Sequence, residues 1–522
     1  MEESVLLVNM TILLLLGGIC SMVFRKLKMP AVIGYLVTGI ILANYWSGKS
    51  EDTELIVNFL SDLGLIFLMF CIGMELNLKK LRKMGSFAIM VVMIQVPLML
   101  FGGYLLGMLF LGLDSLQAII FGAIISGSST AVVTIVLKDQ DRLTHAEVET
   151  VILITVVEDV AQVIILSAIS PMMTGEAMSA ESIVWMLLTI IVFMVAAIGL
   201  GLLFIPKLLD WIGEKMSDEI ILIVALGLCF CMAWLSTLVG LSMAIGAFMM
   251  GVIVSQAKPA KIIEHDIRPM KDIFMMMFFI SIGLEIRPES LVDNIAIILI
   301  IYVIYFVLKC SSVLLAYFVG NKPMRMSFYS SISLVAMGEF AFIISKEAYD
   351  ANIISPDFYA AVVGSALMTM ILLPIIDSKS EKICDTVQNK SPQFMVNGFL
   401  KLEKMRSNFY AKLSLASKTT RANFRTRVTY TYFEVMLLAI VEICVYIMTP
   451  FLAEFLYDNT SEAITTYYST MIIMIAIAYF CTLGQGKDSW ICFGIYLGIG
   501  ACIWLFDYVA VSAVHLLIGL AG

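Results

Sequence analysis

IGYLVTGII (Ile33–Ile41) returns later in the chain as IGAFMMGVI (Ile245–Ile253), and LIFLMFCIGMEL (Leu65–Leu76) returns within DIFMMMFFISIGLEI (Asp272–Ile286). Gly34 and Gly39 reappear as Gly246 and Gly251, 212 positions on; Gly73 and Glu75 reappear as Gly283 and Glu285, 210 positions on. Two matches at nearly one offset mark an internal repeat in a sequence otherwise rich in interchangeable apolar residues.

The repeated stretches lie in runs that a soluble domain does not contain. The chain of 522 residues is 61% hydrophobic and 14% charged, with a mean hydropathy of +0.97. Soluble domains run near ~45–50% apolar and ~25% charged. The runs are roughly 18–25 residues long, enough to cross a hydrocarbon core of about 30 Å as a helix, and helices satisfy their own backbone in lipid. The reading is an all-α, polytopic membrane protein. Its expected spans are 5–24, 30–46, 57–76, 87–111, 116–137, 148–170, 182–206, 219–238, 241–256, 272–285, 292–319, 327–348 and 356–377. Three more follow a polar gap, near 433–456, 463–482 and 489–518. The domains are therefore 1–378, a membrane domain; 379–432, a basic linker; and 433–522, a C-terminal transmembrane extension.

Loop charges orient the spans. Arg25, Lys26 and Lys28, then Lys79, Lys80, Arg82 and Lys83, then Lys138 and Arg142 occupy alternate loops, and the pattern continues through Lys207, Lys258, Lys271, Lys322 and Arg325. The other loops are poor in basic residues, Lys49, Arg287 and Lys346 being the main exceptions. By the positive-inside rule the N-terminus is outside and the linker, with Lys401, Lys404 and Arg406, is cytoplasmic. The opening residues lack a basic region and a cleavage site, so the first run is expected to be a retained span in an inner (plasma) membrane protein. The net charge of −8 does not bear on this assignment, and the ten cysteines and 36 methionines show no ligand spacing; they are apolar packing residues.

In this count the repeated spans are the second with the ninth and the third with the tenth. An odd separation reverses direction, which makes the repeat inverted, an architecture in which ions bind near the midplane where helices are broken. The offset also pairs SGSST (Ser126–Thr130), in the fifth span, with MGEF (Met337–Phe340), in the twelfth. Gly127 and Gly338 thus mark two broken helices; the plainer reading, small residues allowing close packing, explains one site but not the pairing.

The sixth span carries LITVVEDVAQV (Leu153–Val163). A single charge at the bilayer centre costs roughly 2.5–3.5 kcal/mol, so adjacent Glu158 and Asp159 need a role. Neighbours on a helix point about 100° apart, letting one face a cavity and the other a neighbouring helix. Lys309, in VLKCSS (Val307–Ser312), is the cation available to Glu158, leaving Asp159 to exchange a monovalent cation and a proton. Ser128, Ser129, Thr130, Thr155 and Gln162 offer neutral oxygens or support. Glu339 sits inside the second break, with structural and functional roles both open. Glu75 and Glu285, at span ends, are read as interfacial. A structural buried ion pair is the competing reading for Glu158 and Asp159, and a brace for Lys309.

With these residues in place, the sequence resembles the second branch of the monovalent cation:proton antiporter superfamily, which holds Kef-type potassium efflux antiporters and bacterial Na+/H+ antiporters. The resemblance rests on MPAVIGY (Met29–Tyr35), FCIGMEL (Phe70–Leu76), SSTAVV (Ser128–Val133), GLSMAIGAF (Gly240–Phe248), FFISIG (Phe278–Gly283) and GEFAF (Gly338–Phe342), in family order over about 1–380. It implies an inverted-repeat fold of about thirteen spans with two crossing broken helices, a homodimer, a mobile six-helix core and Asp159 as the ion-binding residue. The residue before that aspartate is Asp, Asn or Gln in different members; Glu158 departs from all three, favours electrogenic exchange with Lys309 and leaves Na+ or K+ open. Unlike many Kef-type proteins, residues 379–522 contain no Gly-x-Gly-x-x-Gly for a nucleotide. No cofactor, no enzyme chemistry and no nucleic-acid partner are expected; the C-terminal spans are expected to thicken a dimer, regulate exchange or contact an unknown subunit. Two alternative readings are a channel or membrane sensor built on the transporter body, and the same fold carrying an organic anion.

Overall fold

The computed structural model describes residues 3–27, 29–46, 51–75, 86–138, 142–170, 173 and 180–390, with Lys404, Arg406–Asn408, Ala411–Lys412 and Leu415. The chain divides into two units. One comprises Met1–Glu176 and Met186–Ser391 and holds both helix groups and the site described below; the other comprises Ala177–Trp185 and Pro392–Gly522. The three spans expected within 433–522, and almost all of the expected linker, lie outside the described residues.

Every regular element among the described residues is a helix, as backbone buried in hydrocarbon requires. They run α1 (Glu3–Lys26), α2 (Ala31–Trp46), α3 (Glu51–Glu75), α4 (Ser86–Leu111), α5 (Ser115–Ile124), α6 (Thr130–Lys138), α7 (His145–Ile169), α8 (Ala180–Lys215) and α9 (Asp218–Thr237). Then come α10 (Met243–Val254), α11 (Ala260–Leu284), α12 (Pro288–Asp293), α13 (Ile295–Val319), α14 (Met324–Ser333), α15 (Glu339–Asp350), α16 (Pro356–Ser378) and α17 (Ser380–Lys390). Eight of the described helices are long and apolar enough to cross a membrane, and three shorter ones are apolar as well. Large apolar side chains remain exposed on α1, α9 and α13, such as Leu15, Trp234 and Val303, as expected of a surface solvated by lipid.

The helices pack in two groups. In the first, α3 lies against α10 and α11, α2 against α1 and α11, and α9 against α10. In the second, α4 packs on α5, α7 and α13, while α13 also meets α14 and α16, and α15 meets α5 and α16. Glycines set the closest approaches in the first group, and they do so twice. A Cβ added to Gly39 would lie 2.6 Å from Gly283 Cα and 2.3 Å from Ile280 O. One added to Gly251 would lie 3.0 Å from Gly73 Cα and 2.1 Å from Phe70 O. The α2–α11 crossing thus repeats as α10–α3, joining the glycines that the sequence repeat equates. Gly251→Val is expected to force α3 and α10 apart at a cost of roughly 1–3 kcal/mol, seen as a lower Tm of the detergent-solubilised protein. An unchanged Tm would show that the crossing tolerates a side chain.

The second group holds both interruptions. The expected span 116–137 is two half-helices, α5 and α6, separated by Ile125–Ser129; 327–348 is likewise α14 and α15, separated by Leu334–Gly338. The breaks meet and satisfy each other. Ser128 and Met337 form an antiparallel bridge, Ser129 N–H donates to Ala336 O at 2.8 Å, and Ser128 Oγ donates to Leu334 O at 2.8 Å. Met337 N–H donates to Thr369 Oγ1 on α16 at 3.0 Å. Tyr305 on α13, fully buried, turns its hydroxyl to Gly127 O at 3.2 Å and Leu334 O at 3.4 Å, clasping both breaks from a third helix. A Cβ on Gly338 would lie 2.8 Å from Ser128 O, which explains a glycine where the two breaks touch.

Two further ties matter at the ends. Lys346 on α15 bonds Glu285, just past the end of α11, and Asp350 (2.8 Å), so this basic exception to the loop-charge pattern has carboxylates on both sides. The expected linker begins as α17, held by Arg325 Nη2 to Asp385 Oδ1 at 2.6 Å and by Arg142, which bonds Ser380 and the Asp377 carboxylate (2.6 Å).

Candidate ion-binding site

Helix α7 starts at Thr144, whose N–H donates to the Glu147 carboxylate at 2.8 Å, and then runs unbroken past Glu158 and Asp159. Their angular separation sends the two carboxylates to different places. Glu158 is fully buried. Its Oε2 accepts from Lys309 Nζ at 3.1 Å and its Oε1 from Gln95 Nε2 at 2.7 Å, and both partners are fully buried as well. A buried charge persists only when paired and hydrogen-bonded, and here each carboxylate oxygen has a donor.

Asp159 points the other way, into a cavity of about 420 Å³. Thr130 Oγ1 donates to its Oδ2 at 3.0 Å. Thr130 is the first residue of α6 and Glu339 the first of α15, and both line this cavity together with Ser128. Two half-helix N-termini therefore border it, where peptide dipoles favour negative charge. The opposite wall comes from the first helix group: Glu75 at the end of α3, Lys271 on α11 and Arg25 on α1, with Met29, Leu68 and Met275 between them. Three carboxylates and two basic groups share one cavity. A second cavity of about 600 Å³ lies between Gln117 and the Tyr349–Pro356 turn, away from both breaks.

The residues singled out in the sequence thus separate. Asp159, Thr130, Ser128 and Glu339 meet at the cavity, while Glu158 and Lys309 form the buried pair behind it. Ser129 Oγ accepts from Val132 N–H at 3.3 Å and starts α6. Thr155 donates to Ile152 O on its own helix at 2.8 Å. Gln162 Nε2 lies 3.5 Å from Ser126 Oγ and fills the space beside Gly127, where a Cβ would sit 1.9 Å from Gln162 Oε1. Ser129 and Gln162 hold the break in shape, Thr155 bonds only within its own helix, and none of the three lines the cavity.

Glu75, read as interfacial from its place at a span end, is exposed at the end of α3 and also lines the cavity. Gln95, Tyr305 and Lys271 were missed. Gln95 left a signal, since it is the one amide or charged side chain in the apolar stretch 87–111. Lys271 left none, because a lysine near a basic loop reads as an orientation marker.

Over residues 11–377, about 70% of the chain, the sequence matches the transmembrane sodium/hydrogen exchanger family. The chain belongs to that family. Within it, the chain is 28% identical over 370 residues to a Na(+)/H(+) antiporter of Enterococcus hirae, spanning 70% of this chain and 95% of that one. It is 27% identical over 379 residues to K(+) efflux antiporter 5 of Arabidopsis thaliana, spanning 71% of this chain and 66% of that protein. The fold is similar to that of the sodium proton antiporter MjNhaP1 from Methanocaldococcus jannaschii, with a TM-score of 0.56 and 19% identity over 73% of this chain and 97% of that one. The exchanger-family match ends at residue 377, before the C-terminal extension.

Proposed function

We propose that this protein is a secondary active antiporter that exchanges Na+ or K+ for H+ by alternating access, with Asp159 as the group that both ions share. The observation that carries the reading is the division of labour on α7: Glu158 has a donor on each oxygen, whereas Asp159 lines a cavity beside the point where two broken helices meet. A carboxylate with a threonine hydroxyl beside it is a hard oxygen site suited to a small monovalent cation. In a poorly solvated cavity the site is neutralised by a cation or by a proton, and each displaces the other.

Arg25 and Lys271 line the cavity, and the loop charges assign both to the cytoplasm, which supports an inward-facing arrangement with the N-terminus outside. The second helix group, carrying Asp159, moves against the first, and the Lys346–Glu285 contact between them lies at the opposite end. Asp159 alone supports one cation for one proton. Lys309, bonded to Glu158, supplies the second titrating group that electrogenic exchange needs. The full architecture is thirteen spans in 1–378, a cytoplasmic linker and three further spans in 433–522, in a homodimer of the plasma (inner) membrane.

Purified protein in proteoliposomes with a preformed pH gradient tests this. Addition of Na+, K+ or Li+ is expected to dissipate the gradient, and the order among the three identifies the cation. No dissipation by any of them, or a conductance far above carrier turnover, would replace antiport by a sensor or a channel.

A further inference from the structure

Gln95 is a fully buried amide on α4, within an apolar helix. Its Nε2 donates to Glu158 Oε1 at 2.7 Å, while its own Oε1 has no partner among the described residues. Leaving a buried carbonyl oxygen unpaired is costly, so the position is not explained by the stability of the amide itself. What it provides is a grip on Glu158 beside that of Lys309, whose Nζ takes the other oxygen at 3.1 Å. Three helices, α4, α7 and α13, thereby fix one carboxylate.

Glu158 and Asp159 are consecutive on α7, and Asp159 is close enough for its charge to act on the Lys309 ammonium as well. We propose that Gln95 is a positioning residue of the exchange reaction: by clamping Glu158 it parks the Lys309 ammonium, and so keeps that ammonium from competing with the transported cation for Asp159. Without the clamp Glu158 pivots about its one remaining partner, and Lys309 moves with it towards the site. Gln95 touches neither ion; it acts through Glu158. The inference rests on Asp159 being the cation ligand.

The test is cation binding, read from the rise in Tm of the detergent-solubilised full-length protein as Na+ or K+ is titrated, which does not require transport. Gln95→Met, similar in length and without a donor, is expected to weaken apparent cation affinity by about tenfold. Glu158→Gln, which also unparks Lys309, is expected to weaken it too, and adding Gln95→Met to that variant is expected to change it by less than about twofold. In proteoliposomes the Gln95→Met defect is expected in the KM for the cation, with the maximal rate within about threefold of wild type. Should Gln95→Met not reach the membrane, Gln95→Asn keeps the amide but is one methylene too short, and the same direction of change is expected. Wild-type affinity in these variants, or independent multiplication of the Gln95 and Glu158 effects, overturns the proposal while leaving antiport intact. Absence of any cation-dependent rise in the wild type counts against the antiport reading itself.

Discussion

Asp159→Asn is expected to abolish cation-driven proton movement in proteoliposomes while leaving the protein folded. Asparagine has the shape of aspartate and still accepts from Thr130 Oγ1, now 3.0 Å from the carboxylate, so the local hydrogen bond survives. What disappears is the charge. A monovalent cation loses its anionic ligand, which weakens capture by roughly ten- to a hundredfold, and the exchanged proton loses its acceptor altogether. Measuring Tm beside transport separates the two effects: an unchanged Tm with no exchange is the expected pair of results. Normal exchange by this variant ends the assignment of Asp159, whatever the rest of the fold looks like.

Lys309→Met makes the second large prediction, and it has two readouts. It leaves Glu158 fully buried with Gln95 as its one remaining donor among the described residues, and an uncompensated buried charge costs about 3–5 kcal/mol. The solubilised variant is therefore expected to have a clearly lower Tm. Adding Glu158→Gln removes the orphaned charge, so the double variant is expected to recover most of that loss, the non-additivity of two residues in contact. In transport, the charge moved per cycle is expected to fall or vanish in Lys309→Met, because the second titrating group is gone. A lowered Tm with unchanged electrogenicity would make Lys309 a brace and nothing more.

Much of this was legible in the sequence, for reasons that differ from residue to residue. The half-helices α5, α6, α14 and α15 were readable as Ser126–Thr130 and Met337–Phe340, because hydrocarbon tolerates polar or glycine-rich backbone only where it is buried in protein or wet. The glycines of the repeat were readable because a crossing built at Gly39 and Gly283 recurs at Gly251 and Gly73. Glu158, Asp159 and Lys309 stood out as charges in apolar runs. The division between Glu158 and Asp159 was anticipated too, from Lys309 as the available cation and from the family resemblance rather than from periodicity. Periodicity says that they face different ways, but it does not say which faces what.

The chain by itself determined a helical membrane body with two interruptions and a set of buried charges, since helix length, apolar runs and the cost of charge in lipid are properties of local sequence. Only the tertiary structure decided which residues surround each carboxylate, since that depends on partners far away in the chain. Lys309 lies 151 positions from Glu158, and Gln95 lies 63. Glu75, Lys271 and Arg25 join Asp159 across the boundary between two helix groups. Such meetings are set by how helices pack, and no periodicity within one helix encodes them.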